Sequence, residues 1–125
     1  MALSERIIVD EILAQWAGVF AQWDINALAA LYTDDALFYG SAPALKIGPA
    51  GVRAYFQSLH PAAEPHVAFT DIACATVAPN VIHMAAIAHF SAREGPVARA
   101  RMTHLYVLRD GAWKIAGHHA SPLAS

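Results

Sequence analysis

The chain has one cysteine, Cys74, in 125 residues. A single thiol excludes an intrachain disulfide and any metal site built from several cysteines, and a lone Cys reads first as a small buried apolar residue. Charge is scarce too: Asp, Glu, Lys and Arg make up 14% of the chain, against about 25% in an ordinary domain. The formal net charge is −2 and no basic stripe is present, so nucleic acid is not expected as a partner. No apolar run reaches the roughly 18 residues that a membrane-spanning helix needs, so no membrane partner is expected. The N-terminal Met1-Ala2-Leu3-Ser4-Glu5-Arg6 carries both signs of charge in its first turn and does not read as a signal peptide. A cytoplasmic location is therefore expected.

Apolar surface, by contrast, is plentiful. Hydrophobic residues are 57% of the chain and the mean hydropathy is +0.36. The length suits one domain, residues 1–125, large enough to bury a core. That much apolar surface needs an internal cavity or a partner subunit, so a homo-oligomer is expected.

The periodicity changes once along the chain. Ser4 is placed to cap a first helix, along which Ile8, Ile12, Trp16, Val19 and Trp23 recur at helical spacing. Asp24 opens a short second helix, Ile25 to Leu31. Ala36 to Tyr39 reads as a short strand, turned by Gly40-Ser41-Ala42-Pro43 and returned by Leu45 to Ile47. Gly48-Pro49 starts a third helix with the apolar face Val52, Tyr55, Phe56 and Leu59, ended by His60-Pro61. The remainder is β in character: His66 to Val77, bulged near Asp71, then Val81 to Ser91, Val97 to Leu108 and Trp113 to Ala120, an antiparallel meander.

Alternation assigns the faces of these strands. A three-residue loop Arg109-Asp110-Gly111 would pair Leu108 with Ala112. Arg101, Thr103, Leu105, Val107, Trp113, Ile115, Gly117 and His119 then share one face, and Met102, His104, Tyr106, Lys114, His118 and Ala120 the other. A two-residue loop would swap the last strand's sets. Neither face reads as solvated, whereas a sheet with one wet face alternates apolar with polar. Helices can cover one face, and a second copy of the chain is expected on the other.

Several stretches resemble the nuclear transport factor 2-like superfamily, which includes ketosteroid isomerase, the SnoaL-like polyketide cyclases, scytalone dehydratase and the calcium/calmodulin-dependent kinase II association domain. Val52-Arg53-Ala54-Tyr55-Phe56-Gln57-Ser58-Leu59 is similar to the third helix of that association domain. Thr103 through Arg109-Asp110-Gly111-Ala112-Trp113 to His118-His119-Ala120-Ser121 is similar to its closing hairpin, and Asp24 to Ala36 is similar to a segment shared across the superfamily. The resemblance implies an α+β, cone-shaped fold: three N-terminal helices over a curved mixed or antiparallel sheet with four long C-terminal strands. It also implies a pocket between helices and sheet. At the positions matching the isomerase's tyrosine, base and second acid stand Trp16, Gly40 and Thr103 or His104, so that chemistry is not expected. The arginines of the association domain's pocket match Ile87, His104 and Ala120, so most of that positive charge is missing. The resemblance places Ile87, His104 and Ala120 on a common pocket-side face.

On that assignment His83, His89, His104 and His118 all face the pocket, with His104 and His118 as neighbours. A neutral histidine oriented by a neighbour can act as a general base near neutral pH, and three converging histidines could hold zinc. The plain alternative is a set of part-buried side chains hydrogen-bonded to one another, to Tyr106 or to water. No metal and no cofactor is expected. His104 and His118 are the catalytic candidates. The expected ligand-binding set is Trp16, Phe20, Phe38, Tyr39, Phe56, His83, Ile87, Met102, Tyr106 and Ala120. The expected dimer face carries Arg101, Thr103, Leu105, Trp113, Ile115 and His119. Asp34-Asp35 read as capping and turn residues rather than paired catalytic carboxylates. The function expected is a homodimeric, non-catalytic or accessory domain binding a small apolar or weakly polar molecule. The alternatives are a SnoaL-like lyase, isomerase or cyclase with a histidine base assisted by Tyr106, and an oligomerisation module like the kinase hub.

Overall fold

The computed structural model describes residues 4–59 and 63–124. Helix α1 (Glu5–Ala21) starts where Ser4 accepts the Ile7 N–H through its hydroxyl, and α2 (Ile25–Ala29) starts where the Asp24 carboxylate accepts the Ala27 N–H. Trp23, with a φ of 51°, turns the corner between them. Next come β1 (Tyr32–Tyr39), β2 (Lys46–Ile47) and α3 (Gly48–Gln57), with Pro49 in the first turn of α3. The long strands are β3 (His66–Ala78), β4 (Val81–Ser91), β5 (Ala98–Arg109) and β6 (Ala112–Pro122). The expected helix stop at His60-Pro61 lies outside the described residues, and α3 already ends at Gln57.

The architecture is α+β: helices over one face of an open six-stranded sheet, in the order β2-β1-β6-β5-β4-β3. The sheet is mixed, because β1 runs parallel to β6 while the other neighbours are antiparallel. Helix α1 packs on β3 and α3 on β1. Bulges interrupt β3 between Thr70 and Ala73, around Asp71 as expected, and β6 opposite Leu105 and Tyr106; such interruptions bend a strand. Among the described residues, no helix is long and apolar enough to cross a membrane.

Three local readings differ from the sequence. The buried stripe of α1 is Val9, Leu13, Trp16 and Phe20, while Ile8, Ile12, Val19 and Trp23 pack at its edge. Apolar residues at consecutive positions make either stripe plausible, and packing decides. Burial of each such large side chain contributes about 1.5–3 kcal/mol. Strand β1 begins at Tyr32, not Ala36, so Asp34 and Asp35 lie within an irregular strand rather than at its entrance. Asp35 is exposed there, 3.0 Å from Arg109. The Arg109 guanidinium, followed by the Thr33 hydroxyl, holds its carboxyl below the usual value.

The hairpin joining β5 to β6 is the third difference. Arg109 pairs with Ala112, which leaves a two-residue loop. Asp110 and Gly111, with φ of 53° and 78°, match the paired positive angles of an Asp-Gly turn. Near the turn this inverts the expected faces: Leu108 meets Trp113 and Tyr106 meets Ile115. The bulge at Ala116 then restores the original parity, and His104 lies directly opposite His118. Ile115 and Trp113 therefore leave the expected dimer face. Ile115 is in the core, and Trp113 packs against the core beside α1.

Gly48 is the tightest backbone joint. Its φ is +67°, and a Cβ there would lie 2.5 Å from the carbonyl oxygen of Asp34. Gly48→Ala is expected to cost about 2–3 kcal/mol, from left-handed strain plus the clash. Urea unfolding of the variant measures this, and a midpoint equal to wild type would contradict it.

Candidate functional site

The inner sheet face carries Ile82, Met84, Ala86 and Ala88 of β4 against Tyr106, His104, Met102 and Ala100 of β5. His118 and Ala120 of β6 continue this face, with Phe38 of β1 beside His118. Between it and helices α1 and α3 lies a cavity of about 440 Å³, within the usual range for small-molecule sites. Trp16 and Phe20 come from α1, Tyr55 and Phe56 from α3, Phe38 from β1, Phe90 from β4, and His118 and Ala120 from β6. Eight of the nineteen described lining residues carry aromatic rings, and Arg99 is the one Lys or Arg among them. Trp16 stacks on Phe20 with ring centroids 5.2 Å apart, and Phe38 stacks on His118 at 4.2 Å.

Behind this wall runs a buried polar chain. The Trp16 indole N–H donates to the Tyr32 hydroxyl at 3.1 Å. The Tyr32 oxygen lies 3.0 Å from His118 Nδ1, which lies 2.8 Å from His104 Nε2. His104 Nδ1 in turn lies 2.8 Å from the Tyr106 hydroxyl. All five side chains are buried. Among the described residues no buried side-chain nitrogen or oxygen lacks a partner, the condition under which a buried polar network rigidifies a fold. Burial, which disfavours charge, pushes His104 down to about 3. It holds His118 well below its ordinary value, with His104 and His119 adding to the effect. The Tyr32 and Tyr106 phenols are raised by the same desolvation. The whole chain is neutral at physiological pH.

The expected site residues divide. Trp16, Phe20, Phe38, Phe56, His118 and Ala120 meet at the cavity. His104 and Tyr106 belong to the polar chain behind it, and Met102 to the core. His83 and Ile87 do not join them. They lie on the outer face, because the inner positions of β4 are the even-numbered ones. His89 also lies there, 2.7 Å from Thr70. The four histidines thus split two and two, and among the described residues no cluster of three or more His, Cys, Asp or Glu is placed to hold a metal. Tyr39, 43% exposed, lies against His119 on the outer face. Arg101, Thr103, Leu105 and His119 occupy that face as expected. On β4 the wholly apolar set, Ile82, Met84, Ala86 and Ala88, faces the helices, and the set that carries both histidines faces outward.

Sequence reasoning missed Tyr32, Tyr55 and Trp23. Tyr32 was hidden because Asp34-Asp35 read as a loop, which put it outside any strand. Tyr55 was assigned to a helix face, but its hydroxyl also reaches the Ser41 N–H at 3.0 Å and borders the cavity. The turn before β2 is thereby pinned over the pocket.

No curated protein matches the chain in sequence. Several solved structures share its fold. One, from Xanthomonas campestris, is assigned as a calcium/calmodulin dependent protein kinase II association domain; it superposes with a TM-score of 0.85 at 20% identity, covering 100% of this chain and 94% of that one. A nuclear transport factor 2-like protein of unknown function from Pseudomonas putida gives 0.83 at 14% identity, covering 99% and 92%. A protein from Novosphingobium aromaticivorans assigned as a scytalone dehydratase gives 0.78 at 12% identity, covering 96% and 85%. At these identities the likeness is one of fold. Residues 9–125 match the SnoaL-like domain family, and with the cavity placed as it is between helices and sheet, the chain belongs to that family and so to the nuclear transport factor 2-like superfamily.

Proposed function

We propose that this chain is a homodimeric domain that binds a small apolar or weakly polar molecule and acts in a non-catalytic or accessory role. The observation that carries the reading is the cavity itself. Aromatic side chains are the largest group in its lining, Arg99 brings one positive charge, and among the described residues lining it there is no carboxylate. A proton transfer inside would need a base, and the only titratable group of the polar chain that reaches the cavity wall, His118, is already engaged at Nδ1.

The dimer rests on the outer sheet face. Leu37, Tyr39 and Ile47 are 54%, 43% and 58% exposed. Leu37 neighbours both Ile47 and Gly117, and Tyr39 neighbours His119, so the apolar side chains form one patch that runs on to Thr103. A patch of this kind on a small domain marks an association surface. Sedimentation should give twice the 13.4 kDa chain mass, and Leu37→Arg with Tyr39→Arg should give the monomer. A wild-type monomer would overturn the dimer, and a large ring would favour the hub alternative. Bicyclic aromatic compounds should raise the melting temperature and be recovered unchanged.

A lyase, isomerase or cyclase remains the second reading. His118 on the cavity wall favours it, backed by a relay ending at Tyr106, and one structural neighbour is assigned as a dehydratase. Turnover of a bound compound that His118→Ala abolishes would establish it over the first.

A further inference from the structure

The protons of the buried chain can be placed one by one. The Trp16 indole only donates, so Tyr32 accepts from it. His118 Nδ1 then has two arrangements.

In one, His118 Nδ1 is a bare acceptor. The Tyr32 O–H and the His104 Nε2–H both point at it, and His104 Nδ1 accepts the Tyr106 O–H. Every buried proton then points at an acceptor, with the Tyr32 and His104 donors sharing the one Nδ1 lone pair of His118.

In the other, His118 Nδ1 carries the proton and donates to His104 Nε2 or to Tyr32. His104 must then hold its own proton on Nδ1 and donate to Tyr106. The hydroxyl protons of Tyr32 and Tyr106 are left without an acceptor among the described residues, inside the core. A stranded buried donor is costly, and this arrangement strands two. The mixed case sets two N–H groups head to head across 2.8 Å and fails outright.

The proton of His118 is therefore on Nε2. That nitrogen has no partner among the described residues, yet no described side-chain nitrogen is both buried and unpartnered. It must open onto the cavity that His118 lines. The ring is held in this orientation by Phe38 at 4.2 Å and Trp16 at 6.3 Å, both stacked on it.

We infer that the Trp16–Tyr32–His118–His104–Tyr106 chain locks His118 as an Nε2–H donor, so that the cavity selects apolar molecules carrying a ketone-type carbonyl at their buried end. The ligand half of this inference rests on the small-molecule reading above; the tautomer half does not. His118 acts as a fixed donor to a carbonyl oxygen and not as a base. Donor-only and cationic molecules are refused at that end, since the donor meets no acceptor on them.

Two measurements test it. Long-range proton–nitrogen correlation spectra of histidine-labelled protein at pH 7.5 should show His118 and His104 both protonated at Nε2 and bare at Nδ1. Protonation of His118 at Nδ1 would overturn the lock. Tyr106→Phe, which keeps the ring and removes the donor that pins His104, should let the Nδ1–H form appear.

The second measurement compares 1-indanone with indane, which differ by the carbonyl. Wild type should bind the ketone about tenfold more tightly, the usual weight of one buried hydrogen bond. The ratio should fall to near one in His118→Phe and decline in Tyr106→Phe. Equal wild-type affinities would overturn the carbonyl preference and leave the pocket standing. If neither compound binds, the small-molecule reading fails, and the carbonyl preference with it.

Discussion

Lowering the pH from 7 to about 4.5 is expected to remove about 4 kcal/mol of folding stability, a large share of the roughly 5–15 kcal/mol that a domain has. The source is the buried histidine pair. In the unfolded chain each histidine titrates near 6.5. In the folded chain burial holds His104 down to about 3 and His118 also well below its ordinary value. As the pH falls through about 6.5, the unfolded state takes up protons that the folded state refuses. Stability is complete above that point and is lost downward until the folded groups titrate. Two refused protons give a slope of up to about 2.7 kcal/mol per pH unit. Among the described residues that face the pair none offers a negative charge: α1 presents Trp16, β1 presents Tyr32 and Phe38, β4 presents Met84 and β5 presents Tyr106. Asp35, whose carboxyl is lowered by Arg109, acts in a separate window nearer pH 4 and below. Urea midpoints at several pH values between 7.5 and 4.5 measure the slope. The double variant His104→Gln, His118→Gln should flatten it. A wild-type profile level from pH 7 to 5 would contradict the buried neutral pair.

Replacing Trp16 by alanine should cost about 3–5 kcal/mol, the range for deleting a large buried aromatic. The side chain is 1% exposed. It stacks on Phe20, meets Phe56 and Phe69 edge-on, and lies against the face of His118. Removing it opens the cavity into the core and takes from Tyr32 the indole proton it accepts. Trp16→Phe is the milder change: it keeps one ring against Phe20 and His118 but loses the N–H and the fused second ring, so it should cost about 1–3 kcal/mol, less than alanine. Guanidinium unfolding of both variants checks the order. A Trp16→Ala cost under about 1 kcal/mol would mean that the ring is not the keystone of this wall.

Much of the fold was legible because local signals agreed. Ser4 and Asp24 announced two helices through their caps, Pro49 a third, and Asp71 the bulge in β3. The site was less legible. The common face of His104 and His118 was inferred from a three-residue hairpin loop. The real loop has two residues, which alone would have put the histidines on opposite faces. An added residue in β6 at Ala116 reverses that error. Ala116 carries no chemical mark of a bulge; pairing with both β1 and β5 decides it. The opposite fate befell His83 and Ile87. The resemblance places Ile87 on the pocket side, whereas the wholly apolar set of β4, Ile82, Met84, Ala86 and Ala88, is the one the helices cover. Tyr32 escaped notice because two aspartates two residues on looked like a turn, whereas one of them pairs with Arg109 at the sheet surface.

The parallel pairing of β1 with β6 has a consequence for how the chain is made. Tyr32 and His118 touch across a separation of 86 residues, and Phe38 reaches His118 only when the last strand has docked. Contacts of such long loop closure carry a large entropy cost and slow folding. A chain emerging from the ribosome has both helices of its N-terminal corner long before it has a pocket floor. The pocket floor is thus the last part of the wall to be synthesised, and a ligand of the proposed kind would meet a complete site only once β6 is in place.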